Sequence, residues 1–145
     1  MKVVLQRVKE AKVTIQDQII GQIGYGLLIF VGFTKDDNEK DINFLVRKII
    51  DLRIFEDDEG KMNRSSLQVK AQFLVVSQFT LLGDCQKGRR PSFDQAALPK
   101  PAEELYNCFV EKLKMHQLKV ETGQFRAMME VALINDGPVT FILES

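Results

Sequence analysis

Histidine is nearly missing from this chain, which has one among 145 residues, together with two cysteines, no tryptophan and no excess of either charge. A lone His116 leaves no obvious base for a Ser/Cys–His–acid hydrolase, because such nucleophiles need a base within hydrogen-bond reach. It falls at the polar end of a predicted helix beside Lys114 and Gln117, where it reads as a C-terminal cap. Cys85 and Cys108 have neither CxxC spacing nor a neighbouring histidine, so a zinc shell, a redox pair and a disulfide scaffold all drop out and the thiols read as reduced. No metal and no cofactor are expected. With 20 Lys and Arg against 20 Asp and Glu, nothing holds the whole surface to nucleic acid, and RNA contact would need a local basic patch. No stretch approaches the roughly 20 apolar residues that span a bilayer, and Met1–Arg7 lacks the apolar core of a signal peptide, so the expectation is a cytoplasmic protein without a membrane partner.

What is present is ordinary globular material, 45% hydrophobic and 28% charged, enough for a real core in one domain spanning residues 1–145. Residues 2–8 and 11–16 alternate apolar and polar side chains as half-buried strands do, and the Lys9-Glu10 break between them predicts a hairpin. Residues 19–24 form a third short strand and Leu27 to Phe33 a fourth, covered on both faces. Gly21, Gly24 and Gly26 stand in the wrong order for a dinucleotide loop and precede a strand rather than a helix, so they read as turns. Ile42, Leu45, Val46 and Ile49 mark an amphipathic helix within Asp36–Asp51. Arg53-Ile54-Phe55 then runs into Glu56–Gly60, whose acids lack EF-hand spacing and read as a solvated hairpin turn. Gln72 to Leu82 predicts a buried strand whose apolar line is interrupted by Ser77, Gln78 and Thr80. A charged, glycine-containing loop follows from Gly83 to Ser92. Pro99 and Pro101 open a second helix, with Ala102, Leu105, Cys108, Phe109 and Leu113 as its core stripe. Two strands close the chain, Met129–Ile134 and Val139–Leu143, separated by Asn135-Asp136-Gly137-Pro138. The pattern is α/β in the α+β sense: mainly antiparallel sheet with two principal helices.

Ser77-Gln78-Phe79-Thr80-Leu81 and Asn135-Asp136-Gly137-Pro138-Val139-Thr140 resemble the two signature motifs of the D-aminoacyl-tRNA deacylases, also called D-tyrosyl-tRNA deacylases. The resemblance runs the length of the chain, since Met1–Arg7, Lys87-Gly88-Arg89-Arg90-Pro91-Ser92-Phe93 and Gly123–Met129 match the same family in the same order. It implies a barrel-like deacylase fold and a cytosolic homodimer with active sites at the subunit interface. The implied reaction is hydrolysis of the ester of D-aminoacyl-tRNA, and of glycine misattached to alanine tRNA, as chiral proofreading in translation. It further implies that Gly137 and Pro138 form a cis pair placed in the partner's pocket, where backbone carbonyls exclude the L side chain; the sequence by itself favours a trans bond. A filter of main-chain atoms rejects one hand of every amino acid without reading its side chain, and achiral glycine passes it.

For the hydrolytic step Thr80 is the obvious hydroxyl, yet no base accompanies it. The resemblance brings two schemes, a Thr80 nucleophile and an RNA-assisted route. The second is preferred, with a ribose 2′-hydroxyl helping to position water and backbone N–H groups near Phe79 and Thr80 holding the oxyanion. Ser77 and Gln78 then orient the substrate, or simply satisfy the end of a buried strand. Lys87, Arg89 and Arg90 supply the basic patch for tRNA phosphates, or form a solvated charged loop. Arg7 is expected to face the adenosine pocket, Asn135 to help bind substrate, and Phe125, Ala127 and Met129 to wall the pocket or pack the core. The rival functions are a related deacylase or synthetase editing domain acting on other mischarged tRNAs, and a nonenzymatic nucleic-acid-binding protein of the same fold.

Overall fold

One long strand organises the sheet. In the computed structural model, which describes residues 1–145, β1 (Lys2–Ile15) runs unbroken through Lys9 and Glu10, where a hairpin was expected. The two adjacent exposed residues mark a change of pairing register with the last strand, and the chain reverses instead at Gln16 and Asp17, both with positive φ. Three strands therefore open the chain. One edge of β1 pairs antiparallel with β3 (Gly26–Gly32) along Lys2–Val8 and then with β2 (Gln18–Ile23) along Ala11–Ile15. Its other edge carries β8 (Glu130–Glu144) from end to end.

α1 (Glu39–Asp51) leaves β3 through a capping box in which Asn38 accepts from the Lys40 N–H and Asp41 accepts from the Asn38 N–H. It leads through a ribbon, β4 (Phe55–Glu56) and β5 (Met62–Arg64), to β6 (Gln72–Ser77), which lies parallel to β3. α2 (Pro99–Lys114) then crosses to β7 (Val120–Thr122), parallel to β6. The sheet is thus mixed, antiparallel around β1 and parallel around β6. It curls almost into a barrel. A Cβ on Gly21 would stand 2.6 Å from the Thr122 carbonyl oxygen, and one on Gly26 would stand 1.9 Å from that of Gln72. These glycines, expected as turns, mark the close approach of neighbouring strands.

Both helices cover one face of the sheet, where Leu5, Ile29 and Phe73 meet Ile42, Ile49, Phe109 and Leu113. On α2 the buried positions are Tyr106, Phe109, Val110 and Leu113, while Ala102, Leu105 and Cys108 of the expected stripe are only half-buried. The stripe turns because the Tyr106 hydroxyl donates to the Val75 carbonyl at 2.9 Å, which draws a nominally polar side chain inward. The opposite face closes on itself around Val8, Val13, Leu28 and Val76. That closure stops short at Val4, paired with Phe30 and Ile142: the first two are half-buried and Ile142 is 65% exposed.

Candidate functional site

β6 ends earlier than its apolar run suggests. Ser77 makes the last pairing, with Val31, and the Gln78 N–H donates to the Val31 carbonyl at 2.8 Å before the chain folds into a 3-10 turn, Phe79–Leu82. Glycine at 32 permits the crossing, since a Cβ there would lie 2.8 Å from the Gln78 carbonyl oxygen. The polar residues that interrupt the apolar line therefore sit where the strand leaves the sheet. Ser77 and Gln78 are half-buried, Thr80 is exposed, and Phe79 is 56% exposed.

The turn is held by Leu81 N–H to the Gln78 carbonyl at 3.2 Å and Gly83 N–H to the Thr80 carbonyl at 3.0 Å. As at any helical start, its first donors have no acceptor behind them: the N–H groups of Phe79 and Thr80 have no backbone or side-chain partner in the chain. The Thr80 hydroxyl accepts a hydrogen bond from Gln78 Nε2, and an amide cannot serve as a base. His116 lies in the turn after α2, with its N–H on the Leu113 carbonyl. Gly123–Met129 is brought to the same end of β6, for a Cβ on Gly123 would be 3.7 Å from Val76 Cγ2 and 2.7 Å from Met129 Sδ. Met129 packs toward the closed side of the sheet, whereas the Phe125 ring lies 5.8 Å from that of Tyr106, toward the helices.

The loop after the turn is pinched by paired bonds between Asp84 and Ser92, at 2.8 and 2.9 Å. Lys87, Arg89 and Arg90 are exposed beyond the pinch, in no ion pair, around Gly88 at φ +73°.

The second motif is not a connection between two strands, as was expected, but an excursion within β8. Ile134 pairs with Glu10 and Thr140 with Gln6, so four steps on β1 face six on β8 and the surplus is pushed out as a bulge. The Gly137–Pro138 bond is cis, as the resemblance implied, and both residues are exposed. Only glycine suits position 137: φ is +129°, and a Cβ would be 2.6 Å from Val139 Cγ2.

Two side chains fix the bulge. Arg7 does not open onto a pocket; it is 2% exposed and lies under the motif, donating from Nε to the Asp136 carbonyl at 3.2 Å and standing 3.0 Å from its carboxylate. Its Nη1 donates to the Ile54 carbonyl at 2.7 Å and its Nη2 to Glu56 at 3.2 Å. Asn135 works from the side. Its Oδ1 accepts from the Val139 N–H at 2.8 Å, and its Nδ2 donates to Thr140 Oγ1 at 3.1 Å, which also receives Gln6 Nε2 at 3.1 Å. Tyr25, which sequence reasoning did not single out, completes the cluster. Burial raises its pKa above the usual phenol value, opposed by Arg7 and reinforced by Asp136 and Glu56.

The two motifs do not meet within one chain. Ser77 is level with Val31, Val3 and Leu143 in successive strands, whereas the bulge stands between Gln6 and Val8. The separation is about four residues, ~13 Å, along the strands and three strands, ~14 Å, across them. A cavity of about 920 Å³, lined by Met1, Asp37, Leu82, Asp84 and Cys85 among others, includes neither Thr80 nor Gly137. No helix is long and apolar enough to cross a membrane.

Residues 4–144 match the sequence model of the family described as D-Tyr-tRNA(Tyr) deacylase. D-aminoacyl-tRNA deacylases of Bacillus mycoides (strain KBAB4) and Bacillus cereus (strain AH187) are each 59% identical over 145 residues, covering 100% of this chain and 99% of theirs. A solved structure named c-Myc DNA Unwinding Element Binding Protein superposes with a TM-score of 0.94 at 42% identity, over 100% of this chain and 99% of that one. Another, of a probable eukaryotic D-amino acid tRNA deacylase, gives 0.86 at 18% identity over 99% and 98% of the two chains, a likeness of fold.

Proposed function

The chain belongs to the D-Tyr-tRNA(Tyr) deacylase family and is a hydrolase acting on D-aminoacyl-tRNA, and from that premise we propose a homodimer in which Gly137–Pro138 of one protomer closes the Ser77–Thr80 pocket of the other. The observation that carries this reading is the distance between the motifs. A rigid sheet keeps them apart in one subunit, the bulge projects into solvent, and the half-covered face around Val4, Phe30 and Ile142 lies between them. An exposed apolar patch on a curled sheet is suited to burial against a second copy.

In such a site the backbone carbonyls of the bulge stand where the side chain of an L-aminoacyl group would project, while a hydrogen or a D side chain points elsewhere. Selection then depends on handedness alone, and glycine, including glycine misattached to alanine tRNA, is accepted. Water attacks the ester carbonyl, and the unpaired N–H groups of Phe79 and Thr80 receive the developing oxyanion. As the tetrahedral species collapses, the carbon–oxygen bond to the terminal ribose breaks and the ribose oxygen leaves as a hydroxyl, taking up the proton that the attacking water gives up. The neighbouring 2′-hydroxyl orients the water. Thr80, its oxygen engaged by Gln78, donates its hydroxyl hydrogen rather than acting as nucleophile. Lys87, Arg89 and Arg90 contact tRNA phosphates in the cytoplasm's translation pool.

The test is release of amino acid from D-tyrosyl-, L-tyrosyl- and glycyl-tRNA, with chelator in a parallel series. Hydrolysis of the D and glycyl esters alone, indifferent to chelator, is expected. For the shared site, a Gly137→Ala protein mixed with a Phe79→Ala protein should regain D-selective hydrolysis that neither has alone. Absence of such complementation in a verified mixed dimer refutes the cross-subunit arrangement. A second reading follows from the 42% identical neighbour, whose name refers to DNA: the exposed loop cations would then grip duplex DNA. Duplex binding that persists at physiological salt and falls steeply as salt is raised, by a protein inert on all three esters, would favour it.

A further inference from the structure

We infer that Phe93 is a positioning residue for deacylation, the support that holds the Phe79–Thr80 turn in register with the sheet. This rests on the reading of that turn as the active centre. Phe93 follows a charged, exposed loop, where a large apolar ring needs a reason. The core does not provide one, for Phe93 belongs to neither hydrophobic cluster. Its aromatic partner is Phe79, with ring centroids 4.9 Å apart at 58°. Its edge also fills the concave side of the turn's exit: a Cβ on Gly83 would be 3.0 Å from Phe93 Cε1 and 3.1 Å from the Thr80 carbonyl oxygen. Glycine at 83 is thus what lets ring and turn fit together.

Phe93 is itself fixed from both sides. Ser92 is bonded reciprocally to Asp84, while the Phe93 carbonyl accepts from Ala96 N–H at 2.9 Å and the Ala97 N–H donates to the Phe33 carbonyl at the end of β3, also at 2.9 Å. The ring therefore connects two segments that start from the ends of neighbouring strands, β3 and β6. Phe79 is more than half exposed and has no other aromatic contact, so without Phe93 the turn keeps its own hydrogen bonds but loses the ring contact that fixes how its N–H groups are aimed. A displacement of about 1 Å at such donors costs on the order of a hundredfold in rate.

The experiment compares wild type, Phe93→Ala, Phe93→Leu and Phe93→Tyr on D-tyrosyl-tRNA, with thermal melts and equilibrium binding of uncharged tRNA. Phe93→Ala is expected to lower kcat by about tenfold or more with KM, tRNA affinity and salt dependence unaltered, and Phe93→Tyr, which keeps the ring, to restore kcat. Phe93→Leu keeps apolar volume without the ring and should melt near wild type yet remain slow. Wild-type kcat in a folded Phe93→Ala or Phe93→Leu protein overturns the inference, as does a loss confined to KM and tRNA affinity. Ser77→Ala and Gln78→Ala separate the two levels. If they lower kcat while the Phe93 variants do not, the positioning role alone fails; if none of them lowers it, the reading of the turn as active centre fails.

Discussion

Arg7 and Asp136 are joined twice, the guanidinium Nε reaching both the backbone carbonyl and the carboxylate of Asp136 from beneath the bulge that presents Gly137 and Pro138. The other two Arg7 nitrogens bond the Ile54 carbonyl and Glu56. Replacing Arg7 with Met leaves the buried Ile54 carbonyl and the partly exposed Asp136 without their partner. A destabilisation approaching about 3 kcal/mol is expected, measured by urea unfolding. Arg7→Lys keeps the charge but not the fork, and should fall between the two while weakening D-over-L selectivity. Wild-type stability in Arg7→Met would show that the cluster contributes nothing net.

Gly137→Ala tests the bulge directly. Its φ of +129° excludes an L residue, and the added Cβ would collide with Val139. Because the segment is exposed and bounded by intact pairing to β1, the protein should fold, and the ratio of D-tyrosyl to L-tyrosyl hydrolysis should fall at least about tenfold, the loss of one close contact at the α-carbon. An unchanged ratio would remove the bulge from the selection step.

Thr80→Ala separates the two hydrolytic schemes. If the hydroxyl only orients groups, kcat should stay within about tenfold of wild type, whereas loss of a true nucleophile costs on the order of a thousandfold or more. Single-turnover rates at saturating enzyme decide between them.

Tyr106 should set the alkaline limit of the fold. Burial holds its pKa well above the usual phenol value, and its hydroxyl donates to Val75. A raised pKa means that the folded chain keeps the proton longer than the unfolded one, so the contribution is complete below the ordinary value and lost as pH rises past about 10. Denaturant midpoints between pH 8 and 11 should fall in wild type and fall less in Tyr106→Phe. Tyr25, raised too but more exposed, and Lys112, raised by its hydrogen bond to Glu39, add to the slope in the same direction. At neutral pH the Phe variant should lose only about 1 kcal/mol, since the Val75 carbonyl also accepts the Gly123 N–H.

The helices were legible because a 3.6-residue period survives any tertiary arrangement, and the ribbon because acids and glycine cluster at its turn. The long strands were not. Lys9-Glu10 and Gly137-Pro138 both look like chain reversals, and both lie where the β1–β8 ladder changes register, a relation between positions more than 120 residues apart. The family motifs located Ser77–Thr80 and Gly137–Pro138, but the role of Arg7 required knowing what covers it. One signal was present: Arg7 falls in phase with Val3 and Leu5, which places a charge on the inward face of an alternating strand. Asn135 gave no comparable sign, because its partners Val139 and Thr140 become neighbours only once the bulge forms.

Because β8 resumes its hydrogen bonds to β1 on both sides of the bulge, Gly137 and Pro138 cannot drift without unzipping the sheet's longest ladder. Local loosening, the usual first response of a surface loop to heat, is thereby denied to this one. With the bulge as the proposed chiral filter, fidelity and foldedness share a single melting temperature: on warming, the enzyme should stop working before it starts to hydrolyse the wrong hand.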